Sequence, residues 1–350
     1  MSHRSAIHPA FRLDGRRYTS PAGLLDYVER HHPTHYPFLA QWFDHHPEVE
    51  VQTSGTTGTP KTYRIPKAVM EKVARRSIDF FGLKPGSKAL LNLSSGFIAG
   101  KMMWVRALTG GWELDVVPVR RQLVFPPDKH YDFGAMVPYQ AYANAGDLVR
   151  FDRLLLGGAP VDETFVRRLA RWPVAVYLTY GMTETLTHVA VRPLNAEAGR
   201  RMGRDDLSRF YTLPGIAISY HHGQRLRITD PLLPYSPVDT EDLVEILDEQ
   251  SFRWLGRAGN IINSAGYKII PEEVERKLAP YIRRPFYVAG VPHPQWGSAA
   301  VLFIEGTPYE EDWRALFERA GLHRFAYPKD IRFFPTFERT SSGKIIRKIR

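Results

Sequence analysis

The segment Thr53-Ser54-Gly55-Thr56-Thr57-Gly58-Thr59-Pro60-Lys61 directly follows the alternating run Val49-Glu50-Val51-Gln52. Alternation at period two predicts a strand, so a loop rich in glycine and hydroxyl groups opens straight off a sheet. Glycines let backbone N–H groups approach a phosphate, hydroxyls add donors, and a lysine supplies positive charge. The sequence after it, Ile65 through Leu83, predicts a helix entered through Pro66, with Val69, Val73, Ile78 and Phe81 as its apolar stripe. Further along, β-rich runs at 89–93, 113–117, 154–156 and 174–178 alternate with helical stretches, which points to an α/β architecture.

The common nucleotide loop carries glycine immediately before its lysine and a Ser or Thr after it. Here Pro60 precedes Lys61, which excludes that pattern. TSGTTGTPK instead resembles the phosphate loop of the adenylate-forming superfamily of acyl-CoA synthetases, luciferases and peptide-synthetase adenylation domains. Three later segments resemble the same family in the same order. Tyr180-Gly181-Met182-Thr183-Glu184-Thr185 is similar to its YGxTE element, and Gly157-Gly158-Ala159-Pro160 to its adenine-side turn. Gly256-Arg257-Ala258-Gly259-Asn260, continuing to Ile269-Ile270-Pro271-Glu272-Glu273-Val274-Glu275, is similar to the segment joining the family's two domains. Asp242, in Thr240-Glu241-Asp242, matches the acid of its ribose-gripping TGD element, although Glu241 replaces the usual glycine. Arg339-Thr340-Ser341-Ser342-Gly343-Lys344 resembles the family's terminal PxTxxGK element.

The resemblance implies roles. Thr53, Ser54, Gly55, Thr56, Thr57, Gly58 and Lys61 would hold the β- and γ-phosphates of ATP. Gly157, Gly158, Ala159, Tyr180 and Gly181 would meet the adenine, and Asp242 with Arg257 the ribose. Thr183 would contact the α-phosphate, Glu184 would hold Mg²⁺, and Lys344 would be the catalytic cation of adenylation. Gly259, where an acid or lysine often stands, would be the pivot, and the face around Ser264-Ala265-Gly266-Tyr267 would serve the thiol step. The implied fold is α/β: a large N-terminal AMP-binding domain over 1–255, a hinge at 256–260 and a small mobile α+β domain over 261–350. The phosphate loop lies unusually early, so the large domain is expected to have a truncated N-terminal subdomain.

That compact build, with Phe97-Ile98-Ala99-Gly100-Lys101-Met102-Met103, Ala135-Met136-Val137-Pro138, His188 and Asn260 through Ser264, resembles the short o-succinylbenzoate–CoA ligases of bacterial menaquinone biosynthesis. The expected reaction activates an aromatic carboxylate with ATP and transfers the acyl group to coenzyme A. Phe97, Met102, Met136 and Val137 are candidate pocket walls, although Met102 and Met103 suit ordinary core packing equally well. Lys101 and Arg106 are candidate partners for a second, unreactive carboxylate. The alternatives are another aryl- or acyl-CoA ligase, an adenylation enzyme loading a carrier protein, or a non-catalytic nucleotide-binding protein. With no carrier-like segment expected beyond Arg350, free coenzyme A is the expected acceptor.

Composition narrows the partners. The chain has 350 residues, 43% of them hydrophobic, enough for more than one domain. Absence of cysteine excludes disulfides and thiolate chemistry. No apolar run is long enough to span a bilayer, and no apolar signal core follows Met1, so a cytoplasmic protein without membrane insertion is expected. The net charge of +10 is scattered rather than striped, which suits steering of ATP and coenzyme A better than nucleic acid. A homo-oligomer is compatible with the resemblance. The histidines at 31, 32, 35, 45 and 46 are interleaved with Pro33 and Pro47, lack the i,i+4 pairing with a central glutamate seen in helical zinc motifs, and are expected partly exposed.

Overall fold

The computed structural model describes residues 7–52, 62–161, 163–339 and 345–349. The chain folds into two compact units, one comprising Met1–Gly158, Trp172–Ala217 and Ile228–Val238, the other Ala159–Arg171, Ile218–Arg227 and Asp239–Arg350.

In the first unit the β-rich runs become short strands that neighbour one another in the order Phe210–Thr212, His188–Pro193, Ala175–Gly181, Arg153–Leu156, Phe133–Met136, Lys88–Leu91, Glu113–Val116, Arg12–Leu13, Arg16–Arg17. The pairs from Ala175–Gly181 through Arg12–Leu13 are parallel, and the sheet turns antiparallel at both ends. Parallel strands are covered on both faces, so they read as continuous apolar runs such as Leu154-Leu155-Leu156. The crossover helix Ile98–Gly110 is buried on nearly every side, Lys101 and Arg106 included, and so lacks the usual amphipathic stripe.

The strand Glu48–Gln52 alternates exposed and buried residues as its pattern predicts, and pairs antiparallel with Thr62–Pro66. Here the expected helix over Ile65–Leu83 is corrected. Ile65 is a strand residue opposite Val49, and the helix runs Lys67–Phe80 with Pro66 at its N-cap. A β-branched residue facing a valine across a ladder gains packing that a first helical turn could not offer. Lys67 is fully buried, and its ammonium lies 2.8 Å from Asp44 Oδ1.

A second correction concerns His35, which is only 2% exposed. Its Nδ1 accepts from Trp104 Nε1 at 3.1 Å and lies 3.1 Å from Ser95 Oγ. Burial brings its pKa down to about 4, with the His32 charge acting in the same direction.

The second unit holds most of the neighbouring strands Ala217–His221, Arg225–Thr229, Val238–Asp248 and Ser251–Arg257. It also contains a sheet ordered Tyr267–Ile269, Ile262–Ser264, Gly297–Glu305, Phe286–His293, with Asp330–Phe334 parallel to Gly297–Glu305. Alternation in its two longest strands splits the apolar residues between faces. Val288, Ala300, Leu302 and Ile304 meet Val274 and Leu278 of helix Pro271–Leu278 and Leu316 of helix Trp313–Arg319. Tyr287, Ala289, Val301 and Phe303 form the other cluster, where the Tyr287 and Phe303 rings stack 4.8 Å apart. Among the described residues no helix is long and apolar enough to cross a membrane.

Candidate active site

Ligands of open parallel sheets bind outside the carboxyl ends of the strands. In the first unit the loops after Leu91, Met136, Leu156 and Gly181 leave the sheet at that edge. Phe97, Met136, Gly157, Gly158, Tyr180, Gly181, Thr183 and Glu184 all fall on or beside these loops. Hydrogen bonds tie neighbouring loops together. Asn92 Nδ2 donates to Gln140 Oε1 at 3.0 Å, Gln140 Nε2 donates back to Asn92 O at 3.3 Å, and Gly157 N donates to Met136 O at 3.1 Å.

Two glycines here are dictated by close approach. A Cβ on Gly157 would stand 2.5 Å from Thr179 Oγ1, whose proton goes to Leu156 O at 3.1 Å. A Cβ on Gly181 would stand 2.3 Å from Thr187 O and 2.7 Å from His188 Cα, backbone atoms with no freedom to swing aside. The neighbouring Tyr180 is half-buried, its ring edge-on to Phe210 with centroids 5.7 Å apart.

Thr183 and Glu184 lie in the single 3₁₀ turn Thr183–Thr185. Thr185 Oγ1 accepts from Met182 N at 2.9 Å and lies within 3.0 Å of the carbonyl oxygens of both Met182 and Thr187. Leu186 then takes φ +64°, a left-handed value that costs a non-glycine residue on the order of 1–3 kcal/mol unless its surroundings hold it there.

What holds it is a ring of four side chains drawn from distant parts of the sequence. Arg106 Nε donates to Ser77 Oγ at 3.1 Å, Ser77 Oγ lies 3.1 Å from His188 Nε2, and His188 Nδ1 lies 3.2 Å from Thr187 Oγ1. Arg106 Nη2 donates to Thr187 Oγ1 and closes the ring. Burial lowers the His188 pKa well below its usual value, and the Arg106 and Arg76 charges push the same way. The imidazole is therefore neutral, and a proton on Nδ1 gives each ring atom a complementary partner. Burial also brings Arg106 down to about 10. Beside the ring, Arg76 grips Asp230 through two bonds of 2.9 and 2.7 Å. Arg106, expected as a partner for a substrate carboxylate, is instead committed to this ring. No local pattern announces the ring, since its members are joined only by the fold.

Glu184 receives the Tyr63 hydroxyl on Oε1 at 3.5 Å. Tyr63 belongs to the strand whose first residue, Thr62, faces Gln52 in register. The chain on both sides of segment 53–61 thus runs beside the Glu184 turn. Burial raises the Tyr63 pKa, and the Glu184 charge adds to it. Glu184 makes no other hydrogen bond or ion pair among the described residues, which leaves its second carboxylate oxygen available. A hard, partly exposed anionic oxygen of this kind fits Mg²⁺.

Lys101 is 9% exposed, with its ammonium 5.0 Å from the centre of the Phe38 ring and no carboxylate partner among the described residues. Burial lowers its pKa. Phe97, 56% exposed, caps the start of the same helix, whereas Met136 and Met102 are buried in the core. Thr53, Ser54, Gly55, Thr56, Thr57, Gly58, Lys61 and Lys344 lie outside the described residues.

In the second unit Asp242 and Arg257 face each other across an antiparallel pair. Asp242 is 5% exposed, and its Oδ1 accepts from Trp254 Nε1 at 3.1 Å and Arg257 Nε at 3.2 Å. A buried carboxylate fixed by an indole and a guanidinium is preorganised to accept hydroxyl protons. Gly259 sits in the 3₁₀ turn Ala258–Asn260 with open space around it, Ala159 is half-buried, and Tyr267 stacks on His323 at 5.4 Å. Glu275 accepts from Val288 N at 2.7 Å and from Arg347 Nη2 at 2.8 Å. The last acid of that motif is thus a packing hub.

The AMP-binding enzyme family matches residues 49–237, more than half of the chain. The 2-succinylbenzoate–CoA ligase of Listeria monocytogenes is 28% identical over 210 residues, covering 55% of this chain. The chain spans only 44% of that curated relative's length. An acyl-CoA synthetase (AMP-forming)/AMP-acid ligase II-like protein from Dyadobacter fermentans is 32% identical, with a TM-score of 0.61 over 94% of this chain and 97% of that one. The o-succinylbenzoate coenzyme A synthetase of Bacillus subtilis, solved with ATP and magnesium, gives a TM-score of 0.70 at 17% identity, covering 93% of this chain and 81% of that one. At that identity the likeness is one of fold. With the family's match and the carboxyl-edge geometry in agreement, the chain belongs to the AMP-binding enzyme family.

Proposed function

We propose that the protein activates an aromatic carboxylate as its acyl-adenylate and passes the acyl group to coenzyme A, with o-succinylbenzoate as the substrate. The observation carrying this reading is the Tyr63–Glu184 contact, which brings the flank of segment 53–61 beside the Thr183–Thr185 turn. A phosphate loop and a metal-holding acid must share one polyphosphate, and this contact is what such sharing requires.

In the first half-reaction a carboxylate oxygen bonds to the α-phosphorus and the bond to pyrophosphate breaks. Both reactants are anions, so the work is charge neutralisation and positioning. Lys344 would bridge the carboxylate and the α-phosphate. Thr183 would orient that phosphate, Lys61 and the hydroxyls of 53–57 would hold the departing pyrophosphate, and Asp242 with Arg257 would fix the ribose. Glu184 would hold Mg²⁺, which when bound supplies further neutralisation of phosphate charge. In the second half-reaction the coenzyme A thiol loses its proton, its sulfur bonds to the carbonyl carbon, and the bond to AMP breaks. The division at 256–260, pivoting at Gly259, would withdraw Lys344 between the two.

Lys101 supports the substrate assignment. A buried ammonium with no carboxylate partner among the described residues gains from an incoming carboxylate that does not react, and the exposed Phe97 ring offers an apolar wall. The reading is tested by separating the half-reactions in Lys344→Ala. Adenylation should fall by about 10²–10³, with thioester formation from pre-made acyl-adenylate largely kept. Equal loss in both would refute the role of Lys344.

A further inference from the structure

Around Arg153 and Tyr177 the first unit has a cavity of about 670 Å³. Arg153, at its rim, opens the strand Arg153–Leu156 at the end away from Gly157, and Tyr177 lies mid-strand beside Leu155. Tyr177 lines it and is only 2% exposed, and its hydroxyl has no hydrogen-bond partner among the described residues. Burial pushes that hydroxyl up to about 12, and the Arg201 and Arg153 charges act against the rise, so both guanidinium fields reach it.

The surrounding cations are not all spent. Glu197 takes Arg200 and Arg201, the latter at 2.7 Å. Arg153 has no carboxylate partner among the described residues, and Arg204 only lies over the Tyr211 ring at 4.8 Å. Asp79 and Glu197 also line the cavity, so four arginines face two acids. The remaining lining is largely apolar and aromatic, with Phe80 and Phe81 set edge-on 4.9 Å apart. The Tyr177 ring is buried while its hydroxyl faces the cavity it lines, where an anionic head can accept its proton.

We propose that this cavity is a second ligand site, taking a small organic anion whose carboxylate or phosphate head accepts from the Tyr177 hydroxyl between Arg153 and Arg201. The apolar body of the ligand lies against Phe80. Carboxylate and phosphate heads share this chemistry, since each accepts from a phenol and pairs with a guanidinium. Nothing in the proposed acyl-CoA ligase reaction uses these residues.

Isothermal titration of the full chain with phenylacetate and with phenyl phosphate tests the site directly, without reference to catalysis. At least one probe should bind in the millimolar range or tighter, and the tighter of the two identifies the head group. Tyr177→Phe removes only the hydroxyl and Arg153→Gln only the charge. Each should weaken that probe by about tenfold, the effect of one lost charge-assisted hydrogen bond. The melting temperature of unliganded Tyr177→Phe should match or exceed the wild type's, because no protein partner is lost. Neither probe binding, or binding unchanged in Tyr177→Phe, would overturn the proposal. A lower melting temperature for that variant would do the same, by revealing a protein partner for the hydroxyl.

Discussion

The Ser77 hydroxyl stands 3.1 Å from His188 Nε2, joining the helix before the candidate site to the strand that leaves it. Through Arg106 and Thr187 the same hydroxyl secures the turn carrying Thr183 and Glu184. Ser77→Ala leaves Arg106 Nε and His188 Nε2 buried without that partner. Chemical denaturation should show a loss of about 2 kcal/mol, the usual cost of orphaned buried polar atoms. A variant as stable as the wild type would contradict the ring.

Gly181→Ala places a methyl carbon 2.3 Å from the Thr187 carbonyl oxygen, and the backbone must shift to admit it. Because Tyr180, Thr183 and Glu184 ride on this backbone, their aim changes together. Displacement of positioning groups by an ångström costs on the order of 10² in rate. Carboxylate-dependent ATP–pyrophosphate exchange should fall by about that factor. Exchange at the wild-type rate would mean that the turn tolerates the methyl group.

Much of this architecture is legible in the sequence. The runs at 89–93, 113–117, 154–156 and 174–178 become parallel strands because their apolar continuity reflects burial on both faces. The motifs at 157–159 and 180–184 fall on the carboxyl edge because strand–turn order alone decides which end a loop occupies. Ile65 misleads because Pro66 signals a helix start while the pairing with Val49 is a tertiary fact. His35 misleads because its neighbours suggest a surface, whereas Trp104 supplies the enclosure from far along the chain. The Arg106–Ser77–His188–Thr187 ring leaves no local trace at all.

Glu275 gives a pH signature. Burial pushes its carboxyl up to about 7, with Arg347 opposing the rise. Between the ordinary value of 4.5 and that raised value, the folded chain holds a proton that the unfolded chain has released. Stability from this group is therefore complete at the acid end and is lost as pH rises through the window. Glu275→Gln removes the titration. The stability difference between wild type and variant should change across that window by at most roughly 1.4 kcal/mol per pH unit. A difference that stays flat with pH would contradict the buried carboxyl.

Carboxylate activation itself is tested most directly by ATP–pyrophosphate exchange across a panel of acids, scored in parallel for coenzyme A thioester. The expected result is exchange that requires an added carboxylate, is greatest with o-succinylbenzoate, and is matched by o-succinylbenzoyl-CoA once coenzyme A is present. Exchange and thioester with a different aromatic acid would keep the chemistry and reassign the substrate. Nucleotide binding with no exchange for any carboxylate would contradict the proposed activity.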